Sequence, residues 1–161
     1  MWKINTLKKF ILLAFASLSI ISCRKDEENE EIQPSLVGTW KWTKTLILSG
    51  KDNLVISSTP ILNSECSSKN QYIFTDDQKF DFTHFASVNN VCEQSGRFSG
   101  EYSYDENKKL LTATQYINLT YIPLSYYLNS FTINEIQIIS EEKSDYNNDG
   151  INDKLITVLT K

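Results

Sequence analysis

The chain has 161 residues, of which 40% are hydrophobic and 22% charged, and its formal net charge is −4. That length holds one domain with its own core. A net acidic chain with no basic cluster after Lys25 is unsuited to nucleic acid, whose phosphates require Lys and Arg.

The first expected element is a leader. Residues 1–9 carry Lys3, Lys8 and Lys9 and no acid, and residues 10–22 form an uncharged run of thirteen. A bilayer span needs roughly 20 apolar residues, so this run is too short to cross. A basic start, a short apolar middle and a small residue before the break describe a signal peptide over residues 1–22. It ends in Ile20-Ile21-Ser22-Cys23. That tetrad resembles the lipobox of bacterial lipoproteins, in which the cysteine sulfur receives a diacylglycerol, the leader is cut just before it and the new amine is acylated. The resemblance implies a lipid anchor at Cys23, a membrane as partner and an outer-membrane location. The alternatives are an ordinary signal peptide with a chance cysteine, or a buried helix.

Residues 23–35 read as the lipidated cysteine and an acidic tether. "RKDEENEE", residues 24–31, holds two bases, five acids and no apolar residue, so it has nothing to bury. Pro34 keeps the following stretch extended. A lysine followed by acids directly after the cysteine resembles the surface-export signal of lipoproteins in one large Gram-negative phylum. The resemblance implies exposure on the cell surface, and a plain spacer is the alternative. From Cys23 onward there are 139 residues, and without the three leader lysines the formal charge falls from −4 to −7. No second long apolar run follows, so no further membrane helix is expected.

Residues 36–161 read as all β. In "TWKWTKTLIL", alternation puts Trp40, Trp42, Leu46 and Leu48 on one face and Lys41, Thr43 and Thr45 on the other. "NQYIF" pairs Tyr72 with Phe74, Asp76-Asp77-Gln78 reads as a turn, and "KFDFTHF" puts Phe80 and Phe82 on one face. "RFSGEYSY" aligns Phe98, Tyr102 and Tyr104, "DENKK" is a turn, and "LLTATQYI", "INEIQII" and "KLITVLT" follow as strands. Helical periodicity is missing throughout. Short strands joined by tight turns predict an antiparallel meander of about eight strands that closes into a small barrel, which removes exposed edges. A Greek-key sandwich is the main rival.

In an exported, oxidising setting, Cys66 and Cys92 form an even remainder after Cys23, which implies one disulfide. A redox or metal pair wants close spacing such as C-x-x-C, which is absent. "LVGTW", residues 36–40, soon after a lipoprotein tether resembles the opening of the lipocalin-like domain of many such lipoproteins. The resemblance continues through Cys66, the strand ending in Phe74, a turn with an aromatic strand, Cys92, and "SGEYSY" with Gly100 and with Tyr102 for the family's tryptophan. It covers residues 36–161 and implies a lipocalin-like barrel. Two departures stand out. The family's turn glycine is Gln78 here, and no arginine follows Arg97 to stack on the first-strand tryptophan as in classical lipocalins. The resemblance therefore implies the barrel and not a transport-type ligand site.

No enzyme is expected. His84 is the single histidine and reads as structural, no G-x-S-x-G is present, and the carboxylates lie mostly in the tether and turns. Most aromatics, including Phe80, Phe98, Tyr116, Tyr121, Tyr126 and Tyr127, read as core, with Trp40, Trp42, Phe82 and Tyr102 as pocket candidates. "DYNNDGIND", residues 145–153, follows the spacing of an EF-type calcium loop. Asp145, Asn147, Asp149, the Ile151 carbonyl and Asp153 fill its ligand places around Gly150, while Ile156 stands where a bidentate Glu belongs. Glu141 or Glu142 would have to substitute from across the loop. A polar hairpin loop is the other reading of the same residues. Two functions remain open. One is a lipid-anchored binding module for a small apolar ligand, a glycan or an envelope protein. The other is an assembly lipoprotein that docks another envelope component.

Overall fold

The computed structural model describes residues 33–117 and 120–161, so the expected leader, Cys23 and the tether up to residue 32 lie outside the described residues. Nine strands form among the described residues: β1 (Gly38–Leu48), β2 (Val55–Pro60), β3 (Gln71–Phe74), β4 (Lys79–Val88), β5 (Val91–Asp105), β6 (Leu110–Ile117), β7 (Thr120–Phe131), β8 (Glu135–Ser144) and β9 (Asp153–Thr160). A single 3-10 turn, Cys66–Lys69, precedes β3. All pairings are antiparallel.

The sheet closes on itself through β1. One edge of β1 pairs with β3 through residues 38–40 and with β2 through residues 44–48, and the other edge pairs with β9. Eight strands thus make the ring, and β2 hangs outside it with β1 as its partner. The expected meander and closure are both present. β2 and β7 each contain a proline, Pro60 and Pro123, a residue that usually argues against a strand.

Register divides the ring into two ends. The start of β1 and the β3–β4, β5–β6 and β7–β8 turns form the floor, and the β1–β2, β4–β5 and β8–β9 connections form the rim. Turn chemistry is local. Asn89 and Asn90 both take positive φ, as a two-residue hairpin turn between right-twisted strands requires. Gln78 adopts φ +62°, so the turn that carries glycine in the family keeps its geometry with a side chain in place.

The floor is packed. Trp40, Phe74, Phe80, Leu111, Leu128, Ile136 and Leu159 are buried together there, with Phe82 above them. The Trp40 indole N–H donates to the Leu36 carbonyl at 2.7 Å. Lys161 Nζ lies 4.7 Å from the Trp40 ring centre and donates to the Ser35 carbonyl at 3.0 Å. Lys161 thus sets a cation on the tryptophan where an arginine was sought. Its stem crosses Gly38, whose φ of +136° is the conformation for which "LVGTW" needs glycine there.

Two sequence expectations fail: Phe98, Tyr121 and Tyr127, read as core, are exposed, and the inward face of β1 breaks. Trp42, Leu46 and Leu48 do not continue a single face, because a bulge between Trp42 and Lys44 inserts one residue and reverses the alternation. Leu46 and Leu48 join a second cluster with Ile156 and Val158, across the wall from the first. Adjacent Val158 and Leu159 are both fully buried, so β9 buries both of its faces.

Candidate functional site

The inner face changes character from floor to rim. Alternation carries Phe80, Phe82 and His84 inward along β4, and Phe98 inward opposite Phe82 on β5. Phe80 and Phe82 are buried, His84 is half-buried, and Phe98 is 37% exposed although it points into the ring. Thr45, Ile47, Ile138 and Thr157 on the opposite wall are half-buried too. Above Phe82, then, the inward side chains are less deeply buried than those of the floor.

Four aromatic rings meet there. The Tyr72 ring centre lies 5.3 Å from Phe82 and 5.6 Å from His84, and Phe98 lies 5.5 Å from His84 on the other side. Gly96 stands directly across from His84, so no side chain there displaces the Phe98 ring. Among the described residues, His84 Nε2 is the buried side-chain atom without a hydrogen-bond partner. Burial holds the His84 pKa below the ordinary histidine value, because the charged form loses hydration. Burial also raises the Tyr72 and Tyr126 phenols, so both remain donors at neutral pH. Tyr126 lies near enough to oppose ionisation of Tyr72. Gln115 is buried on the inner face of β6.

The disulfide supports this region. Cys66 and Cys92 are joined, with Cα atoms 5.3 Å apart, as the cysteine count predicts. Cys92 lies in β5 beside the rim hairpin and Cys66 opens the 3-10 turn, so the bond holds that turn against β4 and β5. Asn70 follows it, buried. Its Oδ1 accepts the Phe85 N–H at 2.8 Å, opposite the bulge at Ser95 of β5, and its side chain also bonds Tyr72.

The four pocket candidates separate. Trp40 is wholly buried and reaches no cavity, and Phe82 is core. Trp42 is half-buried, and its indole N–H donates to the Lys44 carbonyl at 3.1 Å. Tyr102 lines a cleft of about 800 Å³ at the floor, with Ser35, Val37, Tyr104, Lys109 and Phe131. Its hydroxyl donates to the Thr75 carbonyl at 2.9 Å, which ties it to the β3–β4 turn. Sequence reasoning missed Tyr72, His84, Phe98 and Tyr126 as a group. The parity of Phe80, Phe82 and His84 was a signal for the histidine, whereas Tyr126 lies on the strand that Pro123 disguised.

In the acidic loop, backbone N–H groups engage the carboxylates. Asp145 accepts from the N–H groups of Asp149 and Gly150, and Asp149 from that of Ile151. Asn147 Oδ1 also accepts from the Asp149 N–H. Asp153 is buried, accepting from Gly50 at 3.0 Å and Tyr146 at 2.7 Å. It pins the β8–β9 loop to the β1–β2 turn, so tightly that a Cβ on Gly50 would sit 2.0 Å from the Asn152 carbonyl oxygen. Among the described residues, no three His, Cys, Asp or Glu side chains gather as a metal-binding group.

Residues 36–138 match the family described as "Lipocalin-like domain", and the chain belongs to that family. Its fold resembles a lipocalin-like protein from Bacteroides uniformis ATCC 8492, at 11% identity and a TM-score of 0.43, over 78% of this chain and 97% of that one. It also resembles a bovine odorant binding protein in a deswapped triple mutant, at 11% identity and a TM-score of 0.35, over 77% and 72%. No curated protein matches the chain.

Proposed function

We propose that the protein is a lipid-anchored envelope protein whose barrel is a non-enzymatic binding module for a small, mostly apolar ligand. Lipocalin-like barrels commonly hold such ligands. The observation that carries the reading is Phe98, an inward aromatic side chain that stays 37% exposed above a packed floor. A small apolar ligand seated there would remove that surface from water. The test is binding of the neutral fluorophore N-phenyl-1-naphthylamine to the full processed chain. Saturable enhancement that weakens on Phe98→Ala is expected, and fluorescence no greater than with an unfolded control would sink the reading.

The anchor and location belong to the same proposal. Cys23→Ser should leave the protein unprocessed or soluble. Replacing Lys25, Asp26 and Glu27 with alanine should move it from the surface to the inner leaflet, read by protease sensitivity of intact cells. Calcium at residues 145–153 is a further proposal, since a carboxylate oxygen that accepts one N–H keeps capacity for a cation. A dissociation constant near 10⁻⁴–10⁻³ M is the most such a loop should reach, and equal melting curves in calcium and in chelator would dismiss it.

One observation favours the assembly reading. Among the described residues β2 pairs with β1 alone, and Leu54, Val55 and Ile56 are exposed beside its other edge. Such an edge is a template for an added strand. Lysine at Val55 and Ile56 would block docking and spare the barrel interior.

A further inference from the structure

We propose that the cleft at the floor is a second binding site, separate from the apolar one, and that it takes an uncharged oligosaccharide.

Position comes first. Along β5, Tyr102 and Tyr104 continue the inward face of Phe98, and Tyr104 stands opposite Leu111 of β6. Leu111 is buried and both tyrosines are half-buried, so the inner face opens below the core. The opening is the cleft of about 800 Å³, which residues 33–37 also line. That volume lies in the range of small-molecule sites, roughly 300–1,000 Å³.

Ring surface comes second. Tyr104 meets Phe131 of β7 edge to face, with ring centres 5.5 Å apart, and Tyr102 meets Phe74 in the same way at 4.9 Å. Those neighbours fix both tyrosines, which therefore offer rigid aromatic surface to the cleft. The C–H faces of a sugar ring pack on such surface, while its hydroxyls require polar partners around them. Those partners are held in place. The Tyr102 hydroxyl donates to the Thr75 carbonyl at 2.9 Å, and Asn129 Nδ2 donates to Gln137 Oε1 at 2.7 Å. The phenol oxygen and Asn129 Oδ1 keep their capacity to accept from a ligand hydroxyl.

Charge selects among ligands. Every buried or half-buried side chain that lines the cleft is uncharged, whereas Asp76, Glu106 and Lys109 are exposed. An ion seated against the deep side chains would lose hydration without gaining a counter-charge there. The exposed charges act through water and are screened. A purely apolar ligand would desolvate Asn129 and Ser130 with nothing in return. An uncharged polyol with apolar ring faces meets neither objection.

The test titrates the full processed chain with cellotetraose, maltotetraose, xylotetraose and mannotetraose, and with two charged tetramers, tetragalacturonate and tetraglucosamine. Calorimetry and saturation-transfer nuclear magnetic resonance read the binding. We expect saturable binding of at least one neutral tetramer, tighter than either charged one. Tyr104→Leu and Phe131→Leu should each weaken it about fivefold, the worth of one aromatic packing contact, with near-ultraviolet circular dichroism checking the fold. The inference is overturned if no neutral tetramer binds, if a charged tetramer binds tightest, or if a folded variant binds like wild type. Displacement of N-phenyl-1-naphthylamine by the bound tetramer would also overturn it, because the two sites would then be one. The binding-module reading is judged separately, on N-phenyl-1-naphthylamine alone.

Discussion

The two halves of this barrel share strands and differ in chemistry. At the floor, Trp40, Phe74, Phe80, Leu111 and Leu159 fill the ring, and Trp40 is closed in by the Leu36 carbonyl and the Lys161 ammonium. Toward the rim, β4 continues into His84, and opposing residues are half-buried. The difference teaches that alternation sets which residues face inward, while volume and polarity decide whether they fill the space. The middle of the floor is built for stability, with the cleft beside Tyr102 at its edge, while the inward side chains toward the rim are less deeply buried and partly polar.

The largest expected contrast comes from truncating one aromatic in each half. Trp40→Ala should cost about 3–5 kcal/mol, because it leaves a large cavity and an unpaired Leu36 carbonyl. Phe98→Ala should cost roughly 1 kcal/mol, since much of that ring is already wet. Denaturant unfolding of both variants measures this, and equal losses would dissolve the distinction between the halves.

Next is the bond that braces the rim. Replacing Cys66 and Cys92 by alanine should lower stability by about 3 kcal/mol. It should also weaken ligand binding, because Asn70 follows the 3-10 turn and holds both Tyr72 and the Phe85 backbone of β4. A stability loss with unchanged N-phenyl-1-naphthylamine affinity would separate the brace from the site.

Asp153→Ala should cost about 1–3 kcal/mol, from the N–H groups of Gly50 and Tyr146 left unpaired. It acts on two rim loops and should leave the floor intact, so amide exchange should rise at the rim and not around Trp40.

The smallest effect is pH dependence. The folded pKa of His84 lies below its unfolded value, because burial penalises the charged imidazole. As pH falls through about 6.5, the unfolded chain takes up this proton first, so His84 removes stability on the acid side. Unfolding of wild type and His84→Phe at pH 8 and pH 5 should show the wild type losing more. Identical pH profiles would mean that His84 is not desolvated.

Much of the fold was legible in sequence, and particular residues show where legibility stopped. Alternation at Phe80, Phe82, Phe98, Tyr102 and Tyr104 names one face correctly, because β4 and β5 run regularly through those positions. The same rule fails after Trp42, since a bulge is set by pairing with β9 and leaves no local mark. Lys161 could not be matched to Trp40 by spacing, because closure of the ring brings them together. The cluster around His84 was illegible for a related reason. Tyr72, His84, Phe98 and Tyr126 lie on four strands, and none belongs to a motif.

The central claim is that ligand enters the rim half, and the single histidine of the chain reports on it. The decisive measurement follows the His84 imidazole nitrogens and the Trp40 indole N–H by nuclear magnetic resonance as N-phenyl-1-naphthylamine is added to the full processed chain. Saturable movement of the His84 signals with a stationary Trp40 signal is the predicted result. Movement of Trp40 with His84 unchanged would place the ligand at the floor and contradict the account.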